Sequence, residues 1–198
     1  WLIARMTAHE PVRAISAMTL LDVVAPAAFA DKRVSVVAGD LADPAVIAHA
    51  VTADSDTVFH LAAVVSGQAE ADFDIGMRVN LDATRALLER CRTLAKPPKF
   101  VFTSSLAVFG GPLPDPVPDH APVTPQASYG IQKATGEFLV YDIPPHGFIS
   151  GRSCRLPTLP QRPGPPTQAP SAAARRHGPR PRPGRRACLP RPPAPTRG

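Results

Sequence analysis

Tyr129 and Lys133 stand four residues apart in the segment Ser128-Tyr-Gly-Ile-Gln-Lys133, a spacing that puts both side chains on one face of a helix. A phenol beside an ammonium makes a general acid/base. The positive charge favours phenolate and draws a reference pKa of about 10 toward working pH. Upstream, Thr103-Ser104-Ser105 is a run of hydroxyls. A serine opposite can hold a substrate hydroxyl or carbonyl while the phenol takes or gives its proton. A tyrosine and lysine at this spacing also occur on ordinary surface helices, so the pair needs its surroundings.

Those surroundings are alternating strands and helices. Phe100-Val101-Phe102 is a short apolar run between polar residues and reads as a buried strand. It delivers the three hydroxyls to its C-terminal end, the edge at which open α/β sheets bind ligands. Pro112 to Pro125 holds six prolines and reads as a loop. A helix then starts near residues 126–128 and runs to about Tyr141.

Earlier in the chain, Met18 to Val23 reads as a strand closed by Asp22, and Val34 to Val37 as a strand leading into Gly39-Asp40-Leu41. Asp43 can cap a helix that has Pro44 at its first position. Thr57 to Ala63 reads as a strand ending in Ala62 and Ala63, whose small side chains let backbone approach a ligand. The acidic stretch Gly67 to Gly76 reads as a loop. The next helix opens at Val79-Asn80-Leu81-Asp82 and stops near residues 91–94, before Lys96-Pro97-Pro98. Trp1 to Met6 suggests the end of an amphipathic helix within residues 1–17. Arg152 to Thr158 reads as a strand that Pro157 ends after Leu156.

Charge divides the chain. No Asp or Glu follows Asp142, whereas eleven of the 22 Lys and Arg do; residues 1–142 hold eleven basic against 16 acidic residues. The overall charge of +6 therefore describes the tail, and a nucleic-acid surface is not expected on the acidic front part. Cys91, Cys154 and Cys188 lack metal-type spacing and are odd in number, which fits reduced thiols in a cytoplasmic protein. No apolar run is long enough to span a bilayer, and WLIARM lacks the pattern of a signal peptide.

Ser105-Leu-Ala-Val-Phe-Gly followed by Tyr129-Gly-x-x-Lys133 resembles the epimerase/dehydratase branch of the extended short-chain dehydrogenases. The resemblance covers about residues 1–158. It implies a Rossmann-type doubly wound parallel sheet, NAD as cofactor, and hydride transfer with Ser105, Tyr129 and Lys133 as the catalytic triad, Ser105 hydrogen-bonding the substrate oxygen with Ser104 assisting it. Asp22, Asp40, Leu41, Ala62, Ala63, Asn80 and Leu156 would line the cofactor together with Tyr129 and Lys133, Asp22 bonding the adenosine ribose and repelling the extra phosphate of NADP. Asn80 would stabilise the active-site end of its helix. Read without the resemblance, Asp22 and Asp40 are turn residues, Asn80 is an N-cap, and His60 has no partner at ligand spacing; its position in the family is structural. The implied substrate is a sugar acid such as D-erythronate, with a nucleotide sugar as the alternative. A homodimer stays open for the complete enzyme.

Two departures temper this. No Gly-x-Gly-x-x-Gly or Gly-x-x-Gly-x-x-Gly occurs in the chain, so the family's first strand and phosphate-binding turn are not matched. In a sheet ordered 3-2-1-4-5-6 that strand is central, between those ending at Asp22 and Leu61. From Pro160 onward, 39 residues hold twelve prolines and nine arginines, and Leu189 is the only aliphatic residue larger than alanine. Such a segment cannot bury enough surface to offset its ordering entropy, so 159–198 is expected to be a disordered tail in place of a substrate-binding portion. The hypothesis is a shifted reading frame, testable by sequencing the gene across codons 158–165. An inactive fragment or binding protein carrying relic motifs is the third reading.

Overall fold

The computed structural model describes residues 15–26, 29–142 and 149–157. The helix expected within 1–17 falls almost wholly outside these, and the tail expected at 159–198 wholly so.

Two parallel sheets form. β1 (Met18–Asp22) pairs with β2 (Val34–Ala38), Met18 opposite Val34 and Asp22 opposite Ala38. β3 (Thr57–His60), β4 (Lys99–Ser105) and β5 (Ser150–Leu156) make the second sheet in the order β3-β4-β5. The orders β2-β1 and β3-β4-β5 are the two flanks of a 3-2-1-4-5-6 sheet, and no pairing joins them among the described residues. The α/β class is as expected.

Helices cross between the strands. α1 (Pro44–Ala50) begins where Asp43 accepts the Ala45 N–H at 2.8 Å, with Pro44 in its first turn. The stretch expected to be a loop at Gly67 to Gly76 is instead helical, as α2 (Ser66–Ala71) and α3 (Phe73–Gly76). Its acidic residues disguise a buried side made of small residues, Ala69 and Gly76, and Asp72 caps α3 by accepting the Ile75 N–H. α3 runs on through a π turn (Met77–Asp82) into α4 (Ala83–Arg92). The long helix after the proline loop is α5 (Ser128–Asp142).

Alternation along β4 sends Phe100 and Phe102 into the core, each fully buried and contributing roughly 2–3 kcal/mol by area. They pack with Leu87, Leu88 and Cys91 of α4, Val140 of α5 and Ile149. Ile47 and Val51, from α1 and its end, join the same cluster, so α1 ties the β1-β2 side to the rest. Burial pushes the Cys91 thiol up to about 12, which leaves it protonated and inert at neutral pH. Among the described residues no helix is long and apolar enough to cross a membrane.

Candidate active site

Two glycines let α5 reach the end of β4. A Cβ on Gly130 would lie 2.2 Å from the carbonyl oxygen of Ala107, and one on Gly136 would lie 2.7 Å from the Phe102 ring. The helix therefore lies directly on the turn that follows β4 (Leu106–Val108) and on the strand itself. Ser105 ends β4 and caps that turn, its Oγ accepting the Ala107 N–H at 3.2 Å. The first turn of α5 is held from elsewhere: the Tyr129 N–H donates to Glu70 Oε1 of α2 at 3.0 Å. A carboxylate at a helix N-terminus is favoured by the helix dipole.

This packing brings Ser105 and Tyr129 together. Burial raises the Tyr129 phenol above its ordinary value, and hydrogen bonding with the Ser105 side chain offsets part of that rise. Lys133, one turn along α5 from Tyr129, is the third candidate. The lysine is 2% exposed; its Nζ donates to the Thr103 carbonyl at 2.9 Å and lies 4.8 Å from the Phe102 ring centroid but 5.9 Å from that of Tyr129. Burial also lowers Lys133 to about 8, which weakens its hold on a full positive charge near neutral pH.

Ser104 differs from expectation. Strand alternation puts it on the face of Phe100 and Phe102, 3% exposed, with its Oγ buried and unbonded. It does not share Ser105's access to a substrate. Asn80 differs too. It is 1% exposed within the π turn, neither an N-cap nor at a ligand surface, and its amide is committed to the Val64 backbone and Gln132. Its part is to hold the loop after β3 rather than to line a cofactor.

The remaining candidates gather at strand ends. Asp22 closes β1, exposed, with Oδ1 accepting the Val24 N–H. Asp40, beyond β2, accepts the Ala42 N–H and pairs with Arg78; in that order these hold its carboxyl below its ordinary value. Leu41 packs against the core cluster. Ala62 is exposed and Ala63 half-buried just past β3. Leu156 closes β5, half exposed, in register with Ser105. His60 is structural: buried, with Nε2 2.7 Å from Thr84 Oγ1. The Thr84 hydroxyl spends its one proton on the Asn80 carbonyl, so Nε2 carries the proton that completes the pair.

Sequence reasoning missed Glu70, hidden in the supposed loop, and two polar residues, Gln132 and Glu137, that share the buried face of α5 with Lys133. Gln132, Lys133 and Glu137 are all buried there. Glu137, one turn beyond Lys133, binds Arg155 of β5 through Oε2 at 2.7 Å, and the guanidinium lies over the Phe109 ring at 4.9 Å. Polar side chains on a helix's buried face were a readable signal, since they break the pattern that packing alone would select.

Comparisons with known proteins identify the family. The profile of the NAD dependent epimerase/dehydratase family matches residues 5–161. D-erythronate dehydrogenase of Cupriavidus necator is 60% identical over 165 residues, 83% of this chain and 51% of the relative. That of Haemophilus influenzae is 44% identical over 159 residues, 80% and 50%. The chain thus spans about half the length of the curated relatives it matches. Among solved structures, the nucleoside-diphosphate-sugar epimerase from Agrobacterium tumefaciens superposes with a TM-score of 0.73 at 47% identity, over 81% of this chain and 48% of that one. With parallel strands ending in Asp22, His60 and Ser105, a helix carrying Tyr129 and Lys133, and a family profile over most of its length, this chain belongs to the NAD-dependent epimerase/dehydratase family.

Proposed function

We propose that Ser105, Tyr129 and Lys133 are the catalytic residues of an NAD-dependent dehydrogenase that oxidises a hydroxyl of a sugar acid such as D-erythronate. The observation that carries this reading is the close packing of Gly130 on the Ala107 carbonyl, which brings the helix of Tyr129 and Lys133 onto the turn that Ser105 caps at the C-terminal end of β4. The D-erythronate dehydrogenases among its relatives supply the substrate class.

The residues present fit the two ends of NAD. Asp22 offers an exposed carboxylate at a strand end for the adenosine ribose, with the ion-paired Asp40 nearby in sequence beyond β2 for the adenine. Tyr129, Lys133 and Leu156 would flank the nicotinamide, and the small residues Ala62 and Ala63 leave room for close backbone approach. No glycine-rich turn for the pyrophosphate stands in the sequence. When bound, NAD supplies the acceptor for the hydride leaving the substrate's carbinol carbon. Ser105 Oγ would hydrogen-bond the substrate oxygen, and Tyr129 Oη would take that oxygen's proton as the carbonyl forms. The Lys133 charge would favour the phenolate form of Tyr129 against the burial that raises it. Lys133 sits beneath them and would hold the nicotinamide ribose.

The test is Tyr129→Phe in a chain completed to the length of its relatives. Turnover should fall by roughly a hundredfold or more while NAD binding is mostly kept. Unchanged turnover would remove Tyr129 from the mechanism.

A nucleotide-sugar epimerase or dehydratase is the second reading, favoured by the Agrobacterium likeness. NADH released with D-erythronate, and none with a UDP-sugar, separates the two. For the complete enzyme we place a homodimer on the exposed stripe of Ile131, Phe138 and Tyr141, which share one face of α5. Free Cys91 and Cys154 support a cytoplasmic location.

A further inference from the structure

Gln132 precedes Lys133 on α5, yet its amide meets the π turn. Asn80 Nδ2 donates to Gln132 Oε1 at 2.8 Å. Asn80 is itself clamped to Val64: the Val64 N–H donates to Asn80 Oδ1 at 2.8 Å, and Asn80 Nδ2 donates to the Val64 carbonyl at 3.1 Å. Three segments therefore meet at one amide pair: the loop after β3, the π turn and the helix of Tyr129 and Lys133.

Room for this pair is built in. A Cβ on Gly76 would lie 2.7 Å from Gln132 Nε2 and 3.1 Å from the Ala69 Cβ. Yet Gln132 is 1% exposed, and its Nε2 is buried with no hydrogen-bond partner. An unpaired buried donor destabilises, and an apolar side chain of similar shape would fill the space without that cost. Stability is not what this glutamine supplies. A π turn, rare in itself and frequent at functional sites, points the same way.

We infer that Gln132 is a positioning residue that locks the Val64 loop, and with it the Ala62-Ala63 backbone, at a set distance from Tyr129 and Lys133. The consequence for cofactor binding rests on the dehydrogenase reading, whereas the clamp itself rests on the geometry alone.

The experiment uses the full chain and compares wild type with Gln132→Met and Gly76→Ala, the second evicting the amide from the opposite side. Amide hydrogen exchange at Val64, the thermal midpoint and NAD affinity by calorimetry are measured. In Gln132→Met, Val64 should exchange roughly tenfold faster while Val101 in β4 is unchanged and the midpoint does not fall. Gly76→Ala should repeat the Val64 effect, and NAD should bind several-fold more weakly in both. Unchanged Val64 exchange in both variants overturns the clamp. A midpoint that falls in step with Val64 protection reduces Gln132 to packing, and faster exchange with unaltered NAD affinity removes its positioning role. Wild type that takes up no NAD defeats the dehydrogenase reading for this polypeptide, and Val64 exchange then decides the clamp by itself.

Discussion

Gly130 packs against Ala107 so closely that a methyl group on the glycine would sit 2.2 Å from the Ala107 carbonyl oxygen. That contact seats Tyr129, the preceding residue, beside Ser105 at the end of β4. Gly130→Ala must push α5 away from a backbone oxygen, which cannot rotate aside as a side chain can. The expected loss is about 1–3 kcal/mol in urea unfolding, together with a drop in turnover for the complete enzyme. Full stability in the variant would mean that α5 has freedom this packing denies it.

Glu137 and Arg155 tie the same helix to β5 with side chains only 10% and 28% exposed. Removing one partner leaves the other partly buried and unpaired. Glu137→Gln should cost about 2–4 kcal/mol, and replacing both residues by apolar ones should cost less. A double-mutant cycle measures the difference; additive losses would show that the pair is not coupled.

Lys133 should be a residue that the fold tolerates at a cost. Its folded pKa of about 8 lies below its ordinary value of 10.5, so between those values the unfolded chain binds the extra proton and stability rises with pH. Below pH 8 the burial cost stands at roughly 2–4 kcal/mol. Lys133→Met should therefore be more stable than wild type at pH 7, with the advantage shrinking toward pH 10. Denaturant unfolding at both values checks it, and an advantage independent of pH would point to packing instead.

His60 acts on the acid side. Burial, then the nearby Lys133 charge, lowers it to about 3 from 6.5, so the folded state resists protonation. Stability is lost as pH falls from 6.5 toward 3, by about 2 kcal/mol on reaching pH 5. His60→Gln should lack this part of the acid slope. If both proteins lose stability equally between pH 6.5 and 5, His60 is not its source.

The chain's own sequence determined the strand ends, because apolar runs closed by Asp22 and Ser105 carry period and polarity locally. It also determined the Tyr129–Lys133 spacing, because four residues along a helix is one face. The acidic stretch from Gly67 to Gly76 could not be read the same way. Its buried face is made of Ala69 and Gly76, and small side chains give almost no hydrophobic signal. Tertiary structure alone decided that Glu70 caps the helix of Tyr129 and Lys133 across 59 positions of chain, and that Gln132 pairs with Asn80 across 52. It likewise decided that the Lys133 ammonium is buried and donates to the Thr103 carbonyl. Burial and long-range hydrogen bonds set these outcomes, and both depend on which segments meet in space rather than on any spacing along the chain.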